Sequence, residues 1–252
     1  MIDTHCHVDF KDFNEDRDKV IQRAKDNLTA IVNSGTSYEG NQSALKLANK
    51  YKDFIYPSFG YHPVSSADST DEYLNMAQNH LIKNLDNIVA IGEVGMDFFY
   101  VKDKAMRNKQ REIFISFVEI ANEYKAPLLI HARDCEKKAF NIVKEYDDIP
   151  NIVFHCFSGS LKTARRILDK DYYISFSTMV CYSKRHQDLV KEIPLNNILT
   201  ETDSPYLAMT KEERNEPANV IKTAKKIAEL QNVDLATVDE VTTNNAKKVF
   251  NI

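Results

Sequence analysis

The residues with the clearest chemical potential stand near the start of the chain, where His5 and His7 are separated by one residue in the segment DTHCH. Successive side chains of an extended strand point to opposite faces, so both imidazoles would lie on one face of a strand. Two imidazoles on one face can bind the same metal ion. Such a pair also occurs on a solvated strand face, and the choice depends on whether further ligand-type residues reach the same place.

Eight short apolar, β-branched segments recur along the chain, each bounded by turn residues and followed by a charged segment. They predict strands at 1–7, 28–34, 54–60, 88–94, 126–132, 152–157, 172–177 and 198–203. Amphipathic segments predict helices that include 18–26, 110–124, 217–231 and 236–250.

This alternation of strands and helices requires parallel neighbours, and eight such units close into a (β/α)8 barrel, the TIM barrel of the α/β class. A length of 252 residues suits one barrel, and no linker or change of composition divides the chain. Residues 1–252 are therefore predicted to form a single domain. An open doubly wound sheet would normally carry a glycine-rich turn after its first strand, where this chain has DTHCH.

The bulk composition narrows the range of partners. A formal net charge of −4 argues against a protein that coats nucleic acid through a broad basic surface, so a polyanionic substrate must be bound locally. No apolar run long enough to span a membrane is present, which predicts a cytoplasmic protein without a membrane partner. The sequence indicates no protein partner, and a monomer is the expectation.

Six ligand-type residues fall at or just after the carboxyl ends of the predicted strands, which share one face of a barrel. They are His5, His7, Glu93, His131, His155 and Asp203. A catalytic zinc ion typically takes three protein ligands, so this larger set predicts two divalent ions bridged by Glu93. The predicted partition places His5, His7 and Asp203 at one ion and His131 and His155 at the other. The ions are zinc, manganese or magnesium, and the histidines favour a transition metal.

Other polar residues are expected around these ligands. Asp3 and Glu201 each precede a ligand by two positions, which predicts that they lie one layer deeper and accept hydrogen bonds from histidine rings. Arg133 should project above the ions and bind a phosphate, or else pair with a neighbouring acid. His62 follows a predicted strand and could contact substrate, whereas His80 and His186 are expected to be surface residues.

Six segments resemble, in order, the signatures of the TatD family of metal-dependent deoxyribonucleases. They are Asp3–His7, Ile91–Asp97, Ile130–Asp134, His155–Gly159, Glu201–Leu207 and Arg214–Pro217, and Asn245–Phe250 resembles the final helix of the family. The resemblance implies an amidohydrolase-type barrel with the same six ligands. It also implies a two-metal site that hydrolyses DNA phosphodiesters, so a 3′–5′ exonuclease on single-stranded DNA is predicted. One departure is Val64, where many members have a second histidine after the GYHP segment.

The residue types suggest a mechanism in which a metal-activated water attacks phosphorus. Asp203 and Glu93 are the predicted catalytic carboxylates, and Asp203 would accept the proton of that water. Arg133 and Arg214 would neutralise phosphate oxygens, although Arg214 could equally belong to a helix-capping segment that ends at Pro217.

Aromatic residues 98–100 are followed by several lysines and arginines, a combination that could stack and hold a single strand, or could simply cover the barrel mouth beside a solvated helix. Ligands alone do not define the electrophile. The alternative function is therefore an ester or amide hydrolase of the amidohydrolase type, for example on aminoacyl-tRNA. A non-catalytic scaffold is a third hypothesis, and the retention of all six ligands argues against it.

Overall fold

Eight parallel strands follow one another around a barrel in the computed structural model, which describes residues 1–66, 69–210 and 213–252. The strands are β1 Ile2–Cys6, β2 Ala30–Gly35, β3 Ile55–Phe59, β4 Ala90–Asp97, β5 Leu128–Arg133, β6 Ile152–Phe154, β7 Tyr173–Phe176 and β8 Ile198–Thr200. Each strand pairs with the next in the chain, from β1–β2 to β7–β8. The predicted (β/α)8 barrel is confirmed.

The seam between the first and last strands is closed by backbone hydrogen bonds. The Asp203 N–H donates to the His5 carbonyl at 2.9 Å, and the His7 N–H donates to the Ser204 carbonyl at 2.8 Å. The Thr4 hydroxyl adds a bond of 3.0 Å to the carbonyl of Thr200. The backbone that closes the barrel therefore also sets Asp203 beside His5 of β1 and His7, which follows that strand.

Helices surround the strands. They are α1 Arg17–Lys25, α2 Tyr38–Lys50, α3 Pro63–Ser66, α4 Asp71–Lys83, α5 Lys104–Glu123, α6 Glu136–Val143, α7 Leu161–Leu168, α8 Lys184–Glu192, α9 Val220–Gln231 and α10 Leu235–Phe250. The four helices named from the sequence match α1, α5, α9 and α10, although α5 begins six residues earlier than 110. Within the described part of the chain, no helix is both long and apolar enough to cross a membrane.

Helix α10 covers the amino-terminal end of the barrel. Its Val249 and Phe250 are buried in an apolar cluster with Ile2 of β1 and Leu199 of β8. Because Ile2 lies at the beginning of β1 and His5 near its end, one strand contributes an apolar residue to one end of the barrel and a polar residue to the other.

Strand β4 differs most from its prediction, since it runs to Asp97 and its register shifts between Ile91 and Val94. Gly95 has a φ of 150°, and a Cβ there would overlap the carbonyl oxygen of His131 on β5. A Cβ on Gly60 would likewise overlap the backbone of Glu93. Glycine at these two positions allows the backbones beside Glu93 and His131 to approach closely.

Candidate metal centre

Two imidazoles from β1 and the segment after it meet at the carboxyl end of the barrel. The Nε2 atoms of His5 and His7 lie 3.1 Å apart. Glu93 Oε2 is 3.4 Å from the first and 3.6 Å from the second. Asp203 Oδ1 is 3.7 Å and 3.5 Å from the same two nitrogens. These four side chains therefore point their ligand atoms at a common volume.

A second pair of imidazoles faces the other oxygen of Glu93. His131 Nδ1 and His155 Nε2 lie 3.2 Å apart. Glu93 Oε1 is 2.7 Å from the former and 2.9 Å from the latter. The structure thus brings all six predicted ligand residues together, with each oxygen of Glu93 directed at one pair of histidines.

Protein groups outside the centre hold the first pair of rings. His7 Nδ1 donates to the Ser34 carbonyl at 2.7 Å, and His5 Nδ1 lies 3.1 Å from the Ser34 hydroxyl. Ser58 in turn donates to that hydroxyl at 2.8 Å. Because a carbonyl can only accept, a neutral His7 has its lone pair on Nε2, inside the centre. Ser34 was missed in the sequence, although it is a polar residue near the end of a predicted strand.

Acidic residues lie behind the second pair. Asp97 Oδ2 is 3.0 Å from His131 Nε2, and Glu201 Oε1 is 3.5 Å from His155 Nδ1. By accepting a hydrogen bond from His131 Nε2, Asp97 leaves Nδ1 of that ring free to bind a metal. Glu201 faces His155 Nδ1 without a hydrogen bond, and this nitrogen has no hydrogen-bond partner among the described residues. Asp97 was not predicted to take this part because the predicted strand ended at residue 94, which left residue 97 in a loop.

The two residues predicted to support histidine rings have different partners. Glu201 accepts hydrogen bonds from the Cys156 N–H at 2.8 Å and the Ser175 hydroxyl at 2.6 Å, in addition to its contact with His155. Asp3 instead accepts from the Thr202 N–H at 2.9 Å and the Thr202 hydroxyl at 2.6 Å. Asp3 therefore ties β1 to the segment after β8 and sets the path of the backbone that leads to Asp203.

His62 lies at the edge of the centre. Its Nε2 is 3.5 Å from Glu93 Oε1, and its ring centroid is 4.6 Å from that of His131. The Val64 N–H donates to Nδ1 at 3.2 Å, so a neutral His62 carries its proton on Nε2 and directs it inward. Burial lowers the pKa of His62 to about 4, and the neighbouring histidines act in the same direction. A neutral donor is thus present beside Glu93.

The two predicted substrate arginines are held differently. The Arg133 guanidinium lies 3.9 Å from the centroid of the Phe99 ring and 5.0 Å from that of Tyr100. Arg214 donates to Asp16 at 2.7 Å and packs 4.4 Å from the centroid of the Phe13 ring. Arg214 is therefore held by residues of the segment that precedes α1, whereas Arg133 is positioned by aromatic faces.

One of the two histidines predicted to be surface residues is in fact buried. His186 is 4% exposed, and its ring lies between the hydroxyls of Ser158 at 2.9 Å and Ser183 at 2.7 Å. The prediction for His186 was therefore wrong, because the hydroxyl that covers its Nε2 belongs to a distant segment. His80 is partly exposed and stacks on Phe59 at a centroid distance of 5.3 Å.

The electrostatics of the centre favour positive charge. Burial opposes the charged form of His7, but hydrogen bonding to Asp203 and the charge of Glu93 raise its pKa to about 9. Burial also opposes ionisation of Glu93, yet the surrounding histidines lower the pKa of this carboxyl well below its usual range. A pocket that keeps two carboxylates ionised among four imidazoles stabilises a cation within it.

The donor set fits divalent metal ions. Three groups of three residues have ligand atoms that lie within 4.8 Å of one another. The groups are His5, His7 and Glu93; His62, Glu93 and His131; and His5, His155 and Glu201. Lone pairs of facing imidazole nitrogens repel at about 3 Å unless a cation or a proton lies between them. Imidazole and carboxylate ligands suit zinc and manganese better than magnesium.

Comparison with known proteins agrees with this geometry. The family model for TatD-related DNases matches residues 2–251. An uncharacterized metal-dependent hydrolase of Methanocaldococcus jannaschii is 41% identical over 249 residues, which cover 99% of this chain and 96% of the relative. The human deoxyribonuclease TATDN3 is 31% identical over 259 residues, which cover 99% of this chain and 94% of that protein.

The fold of this chain also resembles that of a solved structure. The TatD homologue YJJV of Escherichia coli k12 matches with a TM-score of 0.92 at 29% identity, and the match covers 100% of this chain and 98% of YJJV. The resemblance found in the sequence motifs is confirmed. The chain belongs to the TatD family of metal-dependent hydrolases.

Proposed function

We propose that this hydrolase cleaves DNA phosphodiester bonds and acts as a 3′–5′ exonuclease on single-stranded DNA. The observation that carries the proposal is the pairing of imidazoles across Glu93, with His5 and His7 facing one carboxylate oxygen and His131 and His155 facing the other. A centre with two such halves suits a reaction in which both the attacking and the leaving oxygen need stabilisation. The human relative that aligns over 99% of this chain is named a deoxyribonuclease.

We assign the six ligands to two divalent ions. His5, His7, Asp203 and Glu93 would hold one, and His131, His155 and Glu93 would hold the other. When bound, such ions lower the pKa of a coordinated water and neutralise charge that develops on phosphate oxygens.

The protein supplies the base. Asp203 lies at the rim with 17% of its side chain exposed, whereas Glu93 is 3% exposed. Burial raises the pKa of Asp203, but its hydrogen bond with His7 and the nearby histidines bring that pKa below its ordinary value. Asp203 is therefore ionised at neutral pH and can orient a water molecule and accept its proton. Glu93, deeper in the centre, fixes the relative position of the two halves.

Two further residues are assigned to the phosphate of the substrate. Arg133 keeps its guanidinium on aromatic faces and can donate two hydrogen bonds to a phosphate. His62 directs Nε2–H inward and can donate to a phosphate oxygen or a leaving group. Arg214 would first have to leave Asp16 before it could bind substrate, so its contribution should be smaller than that of Arg133.

The test is a cleavage assay with protein loaded in turn with zinc, manganese and magnesium. Single-stranded and duplex DNA labelled at the 3′ or the 5′ end are incubated beside an RNA and an aryl ester. Release of labelled mononucleotide from the 3′ end first supports the proposal. Cleavage of the ester while every DNA remains intact would overturn it in favour of carbonyl chemistry. The Glu93→Gln variant is the matched control, because it keeps the shape of the side chain while it removes the charge between the two halves.

A further inference from the structure

Two exposed aromatic side chains lie on the turn between β4 and α5. Phe99 is 44% exposed and Tyr100 is 63% exposed, whereas the preceding Phe98 is buried. Their ring centroids are 5.0 Å apart in an edge-to-face arrangement. Two large exposed rings forgo the stabilisation that their burial would give. Adjacent exposed apolar side chains of this kind indicate a binding surface.

Asp97 connects this turn to the metal centre. Its Oδ1 accepts hydrogen bonds from the Phe99 N–H at 2.9 Å and the Tyr100 N–H at 2.7 Å, while Oδ2 faces His131 Nε2. The Asp97 carboxylate is buried, so both sets of contacts are shielded from water. One side chain therefore fixes the aromatic turn and a ligand histidine relative to each other.

Cations occupy the face of Phe99 and leave Tyr100 more open. Arg133 lies 3.9 Å from the Phe99 centroid, and Lys102 Nζ lies 5.3 Å from it. Arg133 is farther from Tyr100, at 5.0 Å. The Phe99 ring thus supports the guanidinium of Arg133. The Tyr100 ring remains accessible to a ligand whose phosphate binds Arg133.

A second pair of aromatic side chains lies beside His7. Phe10 stacks on His7 at a centroid distance of 4.6 Å, and Tyr206 meets Phe10 edge-on at 6.2 Å. Tyr206 is 54% exposed. Tyr100 is linked through Asp97 to the His131 half, and Tyr206 is linked through Phe10 to the His7 half, so each half of the centre has an exposed tyrosine connected to it.

We propose that Tyr100 is a stacking platform for an unpaired nucleobase next to the scissile phosphodiester, with Arg133, seated on Phe99, binding the phosphate of that nucleotide. Tyr206 provides the corresponding surface for the base on the other side of the bond. The inference rests on the proposed function and specifies how its substrate is recognised. Every base offers a flat face, so this mode binds single strands without sequence preference.

The charge of the protein supports local recognition of this kind. With a formal net charge of −4, the chain cannot attract a polyanion through its overall field, and stacking adds affinity that does not depend on that field. A base inside a duplex has no free face, so unpaired or frayed ends are the ligands that fit.

The kinetic test compares Tyr100→Leu with Tyr100→Phe on a single-stranded oligodeoxynucleotide. Loss of one stacking contact should raise KM about 10-fold in the leucine variant with little change in kcat, while the phenylalanine variant stays near wild type. On an otherwise identical oligonucleotide with an abasic position beside the scissile bond, wild type and Tyr100→Leu should have the same KM. Tyr124→Leu, at an exposed tyrosine that ends α5 away from the centre, is the matched control and should change neither.

A binding test separates this inference from the proposed function. The protein contains no tryptophan, so quenching of 2-aminopurine in a labelled oligonucleotide reports stacking directly. We expect quenching with wild type and Tyr100→Phe and its loss with Tyr100→Leu. Quenching without any DNA cleavage would overturn the proposed function and support the stacking platform. Normal cleavage with equal quenching and equal KM in wild type and Tyr100→Leu would overturn the platform alone.

Discussion

The two ends of the barrel are built from the same strands but differ in what they bury. At the amino-terminal end, Ile2 and Leu199 pack with Phe250 of α10 in an apolar cluster. At the carboxyl-terminal end, His5 and Glu93 are buried to a similar degree and face other titratable groups. Apolar burial stabilises a fold, whereas burial of ionisable groups costs free energy unless they are paired or bind a cation.

This difference indicates a division of roles along each strand. The amino-terminal end contributes mainly to the free energy of folding, and the carboxyl-terminal end holds buried ionisable groups that serve metal binding and catalysis. Substitutions at the two ends should therefore have separable effects, one on stability and the other on metal content and activity.

The largest effect is expected for His131→Ala. This variant removes the imidazole whose Nδ1 lies 2.7 Å from Glu93 Oε1, which we assigned as a metal ligand. We expect it to lower bound divalent metal and to reduce hydrolysis by more than about 100-fold, which exceeds the usual effect of removing an outer partner. Metal per chain is measured by elemental analysis and hydrolysis by initial rates. The circular dichroism spectrum should stay that of the wild type. Unchanged metal stoichiometry together with an unchanged rate would refute the assignment of His131 as a ligand.

At the other end, Leu199→Ala should have the opposite profile. Leu199 is fully buried in the apolar cluster under α10, so its truncation should lower the free energy of unfolding by about 2–5 kcal/mol. Metal content and kcat, measured below the melting transition, should be those of the wild type. Urea denaturation measures the stability, and Val233→Ala, at a side chain that is 39% exposed, is the control with little expected change. A loss of metal in Leu199→Ala would show that the two ends are not separable.

An intermediate effect is expected for Ser34→Ala. Only the hydroxyl is removed, so His5 Nδ1 loses its partner at 3.1 Å while His7 keeps its bond to the Ser34 carbonyl. We expect metal affinity to fall about 10- to 100-fold, the usual effect of an outer hydrogen-bond partner, with kcat largely restored at saturating metal. Metal titration with a competing chelator gives the affinity. Ser34→Thr, which retains a hydroxyl, is the comparison variant, and equal affinities of Ser34→Ala and wild type would show that Ser34 does not support the ring.

Much of the architecture could be predicted because it repeats. Alternating strand and helix patterns predicted the eight parallel strands, and the shared face of parallel strand ends predicted that residues as distant as His5 and Asp203 would meet. Apolar periodicity also placed the four named helices. These features depend on patterns that each segment carries by itself.

The partners behind the ligands could not be predicted in the same way. Asp97 reaches His131 because β4 shifts register and continues through two glycines with positive φ, and neither feature follows from alternation of apolar residues. Asp3 lies on the face of β1 that its spacing from His5 predicts, but it accepts a hydrogen bond from Thr202 and none from a histidine ring. Thr202 belongs to the segment that follows β8, whose path the strand pattern does not predict. Tertiary contacts of this kind depend on backbone irregularities, which carry no repeating signal.

The smallest expected effect on stability concerns His186. This residue was predicted to be exposed, but it is buried between the hydroxyls of Ser158 and Ser183. Burial lowers the pKa of His186 to about 4, and the nearby Arg185 acts in the same direction. The unfolded chain binds a proton near pH 6.5, so the stability due to neutral His186 is present above that pH and is lost as the pH falls towards 4.

Comparison with His186→Gln isolates this contribution, because glutamine can still face the Ser158 hydroxyl but does not titrate. Between pH 7 and pH 5.5, the free energy of unfolding of the wild type should fall by about 1 kcal/mol more than that of the variant. Urea denaturation at the two pH values measures the difference, and the titration of the other histidines is common to both proteins. Parallel pH profiles would mean that the pKa of His186 is the same in the folded and unfolded states, so burial would not favour the neutral ring. A smaller fall in the wild type than in His186→Gln would mean instead that the folded ring is a cation that donates hydrogen bonds to both serine hydroxyls.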